Sequence, residues 1–341
     1  MKNEERTAAW QRNDGLEGWL GALTELMTPA QALCNERDAS EPDLPVVVVV
    51  GAPRSGTTLL MQTIAAGGLC AYPTNFLGRF YGAPGVGARI QRLLFDSAFQ
   101  FRDEFHDLRP KPPGFESALG KTRGALSPSE FWYFWRRFLP TSEIEPIGSR
   151  MDDVDLEGLA TELRTITSAF EMPFAAKGMM LQYDVAAFGR ALPKLLFVHV
   201  KRDAIANASS ILDARRSFFG TEETWYSAKP REYEDLKGLS PEEQAIGQVE
   251  FTNRSIAEGI AELGPEQSLS VQYDEFCADP AAFHRALASR LRALAPELEQ
   301  RLDVAYTGPP AFTPTRTRGS GSAGESSRTA ALQKAHQRLS R

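Results

Sequence analysis

The sequence has little cysteine, little histidine and no long apolar run. Three cysteines occur among 341 residues, Cys34, Cys70 and Cys277, and they lie far apart without a C-x-x-C pair. A disulfide framework and a zinc site are therefore not expected, and a reducing compartment is the simpler interpretation. The longest aliphatic run, Val46–Val50, is far too short to cross a membrane.

The chain also lacks an excess of basic residues, because its formal net charge is −6. A nucleic-acid-binding protein needs a basic face to neutralise phosphates, so that class is disfavoured, although a local basic pocket for a small anion stays compatible. Residues 1–13 are polar and contain no apolar stretch of signal-peptide length, which favours a cytoplasmic protein. What is present, 42% apolar and 24% charged residues, is typical of a globular protein with a sizeable core.

Short aliphatic runs alternate with helical patterns along the chain. Val46–Val50 predicts a strand buried on both faces of a sheet. Further strands are predicted over 174–177, 195–200 and 268–273. Helices are predicted over 19–32, 57–66, 154–170, 182–191, 204–218, 241–263 and 280–294. This order predicts an α/β fold with a P-loop-like parallel sheet that helices flank on both faces.

The same patterns divide the chain into three predicted parts. Residues 1–44 form a helical lead-in, 45–310 a single α/β domain, and 311–341 a flexible basic tail, for which a terminal helix is the alternative. Within the domain, Ser127–Glu130 has the pattern of a capped helix start, with proline in the first helical position. It predicts a helix through the aromatic run Phe131–Phe138. Rings of this kind are most often part of a core, and the alternative is that some of them wall an acceptor pocket.

A glycine-containing loop, Gly51–Thr58, follows the first predicted strand and reads GAPRSGTT. A strand that feeds such a loop and then a helix is a ready anion site. The free backbone N–H groups of the loop and of the first helical turn point at the ligand, and the helix dipole adds positive potential. The loop therefore predicts a phosphate-binding or sulfate-binding site.

The loop differs from that of a metal-dependent NTPase. Gly51 and Gly56 bracket it as in a Walker A loop, but Thr57 stands where an NTPase needs lysine. The cation is instead Arg54, inside the loop. The predicted strand that ends at Val200 also leads into a lysine and an arginine rather than a magnesium-binding aspartate. A P-loop kinase or NTPase is therefore disfavoured.

The segment PRSGTTLL, Pro53–Leu60, resembles the 5′-phosphosulfate-binding loop of sulfotransferases that use 3′-phosphoadenosine-5′-phosphosulfate (PAPS), in the arginine version of bacterial and tyrosylprotein members. A second segment resembles the family's 3′-phosphate-binding motif, in which Arg202 is followed eight residues later by Ser210. Ser209 is an adjacent alternative, and Ala204 stands where most members of this branch have proline. The two motifs occur in the expected order, each on a predicted strand–loop–helix unit.

The resemblance implies in-line transfer of a sulfuryl group from PAPS to a hydroxyl of a small-molecule or carbohydrate acceptor, with release of PAP and without a metal. Cations and N–H groups aimed at the equatorial and leaving oxygens would supply most of the stabilisation. Arg54 is the candidate for the bridging or leaving oxygen, and Arg202 with Ser210 for the 3′ phosphate. The expected donor-binding residues are Arg54, Ser55, Gly56, Thr57, Thr58, Arg202, Ser210 and Tyr273.

Two further residues take roles from the resemblance. Lys177 closes the second predicted strand and matches in position a lysine that relatives use near the transferred group. A surface lysine is the alternative. Tyr273 resembles a tyrosine that lies near the nucleotide in relatives, and a half-buried strand tyrosine is its alternative. Trp225, between two predicted helices, would suit a lid over the site.

The general base is less well indicated. Some relatives have a catalytic glutamate after the loop where this chain has Asn75, which cannot act as a base but could orient an acceptor. The candidates are His106, Glu104, Glu116 and Glu130. His106 is favoured because a histidine titrates near neutral pH and this one lies in a polar segment. Glu130 is second, with helix capping as its alternative role, and His199, within an apolar strand, is predicted to be a core residue.

Two other functions stay open at this point. One is a P-loop kinase-like enzyme with a degenerate loop, which would require magnesium and ATP for turnover. The other is a non-catalytic nucleotide-binding protein of the same fold, which would bind PAP but sulfate no acceptor. The sequence therefore specifies the donor side of the predicted site more fully than the acceptor side.

Overall fold

The computed structural model describes residues 5–99, 114–314 and 323–339. Its strands are β1 (Val46–Val50), β2 (Ser117–Ala118), β3 (Lys121–Thr122), β4 (Phe174–Lys177), β5 (Leu195–Lys201) and β6 (Ser268–Gln272). Its helices are α1 (Asp14–Arg37), α2 (Thr57–Gly67), α3 (Pro84–Phe95), α4 (Trp132–Arg136), α5 (Leu156–Phe170), α6 (Val185–Ala191), α7 (Ala204–Phe219), α8 (Tyr233–Leu236), α9 (Pro241–Ala261), α10 (Tyr273–Ala278), α11 (Pro280–Leu294) and α12 (Ala323–Leu339). Within these ranges no helix combines the length and the hydropathy that a membrane crossing requires.

The main sheet has four parallel strands in the order β4-β1-β5-β6. Every strand that the sequence predicts is present in it, and β1 is interior because it pairs with both β4 and β5. Parallel neighbours need crossover connections, and helices supply them here. Helices flank the sheet, which confirms the predicted α/β fold.

The five valines of β1 contribute to two cores. Val46, Val48 and Val50 pack in a cluster with residues of α4, α5 and α6, whereas Val47 and Val49 pack in a second cluster with residues of α2 and α11. Successive side chains of a strand point to opposite faces, so an all-valine strand is buried only when both faces are covered. All five are at most 3% exposed.

The helix start predicted at Ser127 is wrong. The Ser127 hydroxyl donates to the carbonyl of Arg123, and α4 begins only at Trp132, after Phe131 in a left-handed conformation with φ +56°. The backbone that a longer helix would use is bonded elsewhere: the Asn75 N–H donates to the Ser127 carbonyl at 2.9 Å, and the Ser129 N–H donates to the Pro73 carbonyl at 2.7 Å. The Thr122 hydroxyl donates to the Pro128 carbonyl at 2.7 Å. Glu130 is therefore not a capping residue of this helix.

The flexible tail predicted at the C-terminus is, over 323–339, the helix α12. Leu332 and Ala335 lie one turn apart and are buried in a cluster with residues of α7 and α9. Arg328 adds salt bridges to Asp213 and Glu222. The helix face that contains Leu332 and Ala335 therefore packs on α7 and α9, although the segment as a whole is polar. The division of the whole chain into three parts stays a prediction.

Candidate active site

The loop predicted to bind phosphate joins β1 to α2 and has two unusual backbone conformations. Gly56 has φ +107°, and a Cβ there would lie 2.4 Å from Cδ2 of Tyr273. A glycine is needed at this position, since any side chain would both strain the backbone and displace the tyrosine ring. Arg54 has φ +68°, which is uncommon for a residue with a side chain. The loop is thus shaped around Tyr273 on one side and presents Arg54 on another.

The second predicted motif meets this loop directly. Nη1 of Arg202 donates to the Arg54 carbonyl at 3.0 Å, and Nε of Arg54 lies 3.4 Å from the hydroxyl of Ser210. The guanidinium of Arg202 also lies 4.9 Å from the ring centre of Tyr273. Burial lowers the pKa of Arg202 from its ordinary value. Two arginines, a serine and a tyrosine from three separate segments therefore converge on one place.

A second group of polar side chains lies at the start of α2. Nζ of Lys177 donates to the Thr58 hydroxyl at 2.7 Å and lies 3.4 Å from Oε1 of Glu130. Oε2 of Glu130 accepts from Lys121 at 2.6 Å and from the indole of Trp132 at 2.9 Å. The surface-lysine alternative for Lys177 does not hold, because this side chain is 5% exposed.

The ionisation of this group follows from its surroundings. Burial would raise the pKa of Glu130, but the charges of Lys177 and Lys121, with hydrogen bonds from Lys121 and Trp132, outweigh it and lower the pKa to about 2. Burial lowers the pKa of Lys177, and the attraction of Glu130 offsets part of that effect. The carboxylate has two cations beside it, whereas Lys177 has one anion and the like charges of Lys121 and Arg54. The cause of the pKa shift therefore differs between the two partners: neighbouring cations lower the pKa of Glu130, and burial lowers the pKa of Lys177.

These residues share one cavity of about 1120 Å³. Nine of the predicted site residues line it: Arg54, Gly56, Thr57, Thr58, Glu130, Lys177, Arg202, Ser210 and Tyr273. Ser55 is fully buried behind the loop, and Ser209 is buried in α7. Glu116 and Trp225 also line the cavity.

Other candidates from the sequence lie elsewhere or outside the described residues. The Asn75 amide donates to Thr122 and Gly124, so it holds a loop rather than facing the cavity. His199 is fully buried, burial lowers its pKa to about 4, and its Nε2 lies 3.0 Å from Oδ1 of Asn253. His106 and Glu104 fall outside the described residues. Among the described residues, no cluster of three or more His, Cys, Asp or Glu side chains is arranged to hold a metal ion.

Sequence reasoning missed the β2–β3 hairpin, whose tip reaches the group around Lys177. A Cβ on Gly120 would lie 3.1 Å from Oε1 of Glu130 and 3.6 Å from the Thr58 hydroxyl. Leu119 and Gly120 both have positive φ, at +47° and +93°. A two-residue turn with both φ positive favours glycine in its second position. The leucine–glycine pair between two short polar segments was the feature of the sequence from which this hairpin turn could have been predicted.

Two buried amides that support the loop were also missed. The Asn207 side chain donates to the Pro53 carbonyl at 2.6 Å, and Oε1 of Gln182 accepts from the Gly51 N–H at 3.4 Å. Both amides come from elements beside the sheet, one from α7 and one from the turn before α6. They fix the loop backbone without facing the cavity. No short motif in the sequence marks them.

Comparisons with known proteins agree with this arrangement. A family model described as the sulfotransferase family matches residues 45–293. The sulfotransferase STF9 from Mycobacterium avium has a similar structure, with a TM-score of 0.51 and 16% identity over 87% of this chain and 76% of that one. The sulfotransferase STF1 from Mycobacterium tuberculosis H37Rv gives a TM-score of 0.49 and 11% identity over 91% and 81% of the two chains. A comparison with curated protein sequences returns no match. The family match spans well over half of the residues and contains both motifs, so the chain belongs to the sulfotransferase family.

Proposed function

We propose that this sulfotransferase transfers a sulfuryl group from PAPS to a hydroxyl of a small-molecule or carbohydrate acceptor. The observation that carries the proposal is the contact of Arg54 with Ser210, which are 156 residues apart in sequence, together with the hydrogen bond from Arg202 to the same loop. A donor with phosphate groups on both its 5′ and 3′ sides needs cations on two adjoining surfaces. The loop and the start of α7 offer them side by side.

The donor would be held mainly by main-chain and arginine groups. The N–H groups of 55–58 lie at the N-terminus of α2, where both the free donors and the helix dipole favour a phosphate. Arg202 and Ser210 would bind the 3′ phosphate, with the guanidinium held against the ring of Tyr273. The buried Ser55 hydroxyl has no hydrogen-bond partner among the described residues, which fits a loop that closes around a ligand.

The transfer itself would use the group around Lys177. The ammonium of Lys177, oriented by Thr58, would stabilise the charge on the sulfuryl oxygens, and Arg54 the charge on the leaving phosphate oxygen. The bond from sulfur to that oxygen breaks as the acceptor oxygen bonds to sulfur. Glu130 would take the acceptor proton, because it is ionised and lies beside Lys177. His106, which the sequence favours over Glu130 as the base, lies outside the described residues, and its role stays a prediction.

The proposal is tested by thermal-shift titrations of wild type and Arg202→Ala with PAP, ADP and ATP. We expect PAP to stabilise the wild type more than ADP at equal concentration, since a ligand that binds only the native state stabilises it more the lower its dissociation constant is. Arg202→Ala should lose this preference. The exposed Arg79, which lies outside the cavity, provides the matched control Arg79→Ala.

Equal shifts with PAP and ADP in the wild type would contradict the donor assignment. A turnover that requires magnesium and ATP would instead favour the kinase-like enzyme. Strong PAP binding without sulfation of any acceptor in a broad panel would favour a non-catalytic nucleotide-binding protein. Each outcome thus selects one of the three functions.

A cytoplasmic location is part of the proposal. All three cysteines are free thiols, and two of them, Cys70 and Cys277, are buried. Burial raises the pKa of the Cys277 thiol, which makes it less reactive. Unpaired thiols of this kind are typical of a reducing compartment.

A further inference from the structure

The wall of the cavity beyond the donor loop is both aromatic and basic. It is formed by the N-terminal segment 5–12 and by α4, and we call this region the acceptor end. The rings that line it are Trp10, Trp132, Tyr133, Phe218, Trp225 and Tyr226. The charged residues that line it are Glu5, Arg6, Arg12 and Arg136. Glu17 adjoins this end through the Tyr133 hydroxyl, so three guanidinium groups face two carboxylates and leave one positive charge in excess.

The N-terminal segment is fixed in place by α7. The Thr7 N–H donates to the Phe218 carbonyl at 2.7 Å, and its hydroxyl donates to the Ser217 carbonyl at 2.9 Å. The ring of Trp10 stacks on that of Phe218 with centroids 4.1 Å apart. This segment precedes the residues 45–293 that match the family model. The wall it forms is therefore a feature of this chain rather than of the matched region.

Arg6 and Arg12 lie close to each other, and Arg12 and Arg136 both lie near the Tyr133 hydroxyl. Burial, and then the like charge of Arg12, lower the pKa of Arg6. Nε of Arg6 is buried without a hydrogen-bond partner among the described residues. Arg136 forms no salt bridge within the ranges that the structure describes. Glu17, which adjoins this group, has both carboxylate oxygens engaged by the Tyr133 hydroxyl at 2.7 and 2.8 Å. An anion between the arginines would relieve their repulsion.

The position of α4 sets the distance from this charge to the reacting group. Trp132, whose indole donates to Glu130, and Arg136 are four residues apart and so share one helix face. They are separated by about 6 Å along the helix axis. A molecule whose hydroxyl lies at Glu130, beside the indole of Trp132, would therefore extend along this helix face towards Arg136.

We infer that the acceptor is a hydroxylated aromatic carboxylic acid, whose hydroxyl lies at Glu130 and whose carboxylate is bound by Arg136 and Arg6. This inference rests on the proposed function and names the acceptor class for the same site. A guanidinium binds a planar carboxylate through two parallel hydrogen bonds. The surrounding rings pack against the aromatic body. The N-terminal segment thereby acts in acceptor selection.

The test is titration calorimetry with two matched probes, para-hydroxyphenylpropionate and its methyl ester, against the PAP-saturated protein. We expect the wild type to bind the carboxylate about tenfold more tightly than the neutral ester, because the ester cannot form the charged pair. Arg136→Gln and Arg6→Gln should each reduce that preference to about twofold or less. Arg79→Gln, at an exposed arginine outside the cavity, should keep it.

Equal binding of the two probes to the wild type, no binding of either, or a carboxylate preference that survives both substitutions would overturn the inference. The same titrations are run on the protein without PAP. A protein that prefers the carboxylate but does not bind PAP would contradict the proposed donor and leave the acceptor-end assignment standing. Binding of PAP with no carboxylate preference would do the reverse.

Discussion

Glu130 and Lys177 form an ion pair whose two members have different surroundings. Burial lowers the pKa of Lys177 and the charge of Glu130 opposes that effect, whereas Glu130 has two ammonium groups and an indole around it. The Lys177 ammonium is buried, is oriented by the Thr58 hydroxyl and has one carboxylate beside it. It is therefore suited to bind a second anion. Donor binding would then give Lys177 a new partner and free Glu130 to accept a proton.

Replacement of Glu130 by glutamine tests this pair. Glu130→Gln should lower kcat by about 10²- to 10³-fold, as loss of a positioned base does, while PAP affinity is retained. It should also move the alkaline limb of kcat/KM to lower pH. The charge of Glu130 raises the pKa of Lys177, so without it the ammonium loses its proton at a lower pH. The measurement is the pH profile of wild type and variant.

The control for this profile is Glu116→Gln. Glu116 also lines the cavity, but the contacts of Lys177 do not include it. Its substitution should leave the alkaline limb where it is. An unshifted limb in Glu130→Gln would show that Glu130 does not govern the charge of Lys177.

The two neighbouring serines of α7 give a second test at the residue scale. Ser210 lines the cavity and contacts Arg54, whereas Ser209 is 2% exposed and faces the interior. Ser210→Ala should weaken PAP about tenfold, because a hydrogen bond to a charged phosphate is lost. Ser209→Ala should leave PAP affinity within about twofold. The PAP affinity of both variants is measured by titration calorimetry. A larger loss of affinity in Ser209→Ala than in Ser210→Ala would assign the 3′ phosphate to Ser209 instead.

At the scale of elements, the sequence predicted best the strands that are buried on both faces and the motifs that lie within a short segment. β1 is five β-branched residues covered on two sides, and the loop after it carries its ligand groups within eight residues, so both follow from short segments. The helix predicted from Ser127 was wrong because backbone hydrogen bonds between 127–129 and 73–75 outweigh a local capping pattern. The contact of Glu130 with Lys177 joins residues 47 apart, and no spacing rule covers that distance.

The β2–β3 hairpin lies against the Glu130–Lys177 pair, to which we assign the transfer step. Gly120→Ala should lower kcat at least tenfold with PAP affinity unchanged, because the added Cβ would lie 3.1 Å from Oε1 of Glu130 and disturb its pair with Lys177. Gly124→Ala is the matched control. Gly124 also has a positive φ, +106°, but its Cβ would meet only the Ser127 hydroxyl, at 3.2 Å. The measurement is kcat of both variants by steady-state kinetics. An equal loss of kcat in the two variants would mean that backbone strain, rather than contact with Glu130, causes it.

At the scale of the whole molecule, the cavity combines two kinds of segment. Its donor side lies within the matched residues 45–293 and is built from the loop, β4, β5 and α7. Its acceptor end adds the segment 5–12 from outside that match. The residues of the two motifs could be found in the sequence because each motif is local, and several of them line one cavity. The acceptor end could not, because a polar N-terminal segment gives no sign in the sequence that it will stack on Phe218.

The C-terminal helix supports the donor side from behind. Leu332 is 1% exposed and packs in a cluster with Leu212 of α7 and with Ala52 of the loop that joins β1 to α2. Leu332→Ala should lower the free energy of unfolding by about 2–4 kcal/mol through lost burial and a residual cavity. Leu33→Ala, at a residue 66% exposed on α1, should change it by less than about 0.5 kcal/mol. Denaturant titration measures both, and an unchanged midpoint for Leu332→Ala would mean that α12 does not pack on α7 in solution.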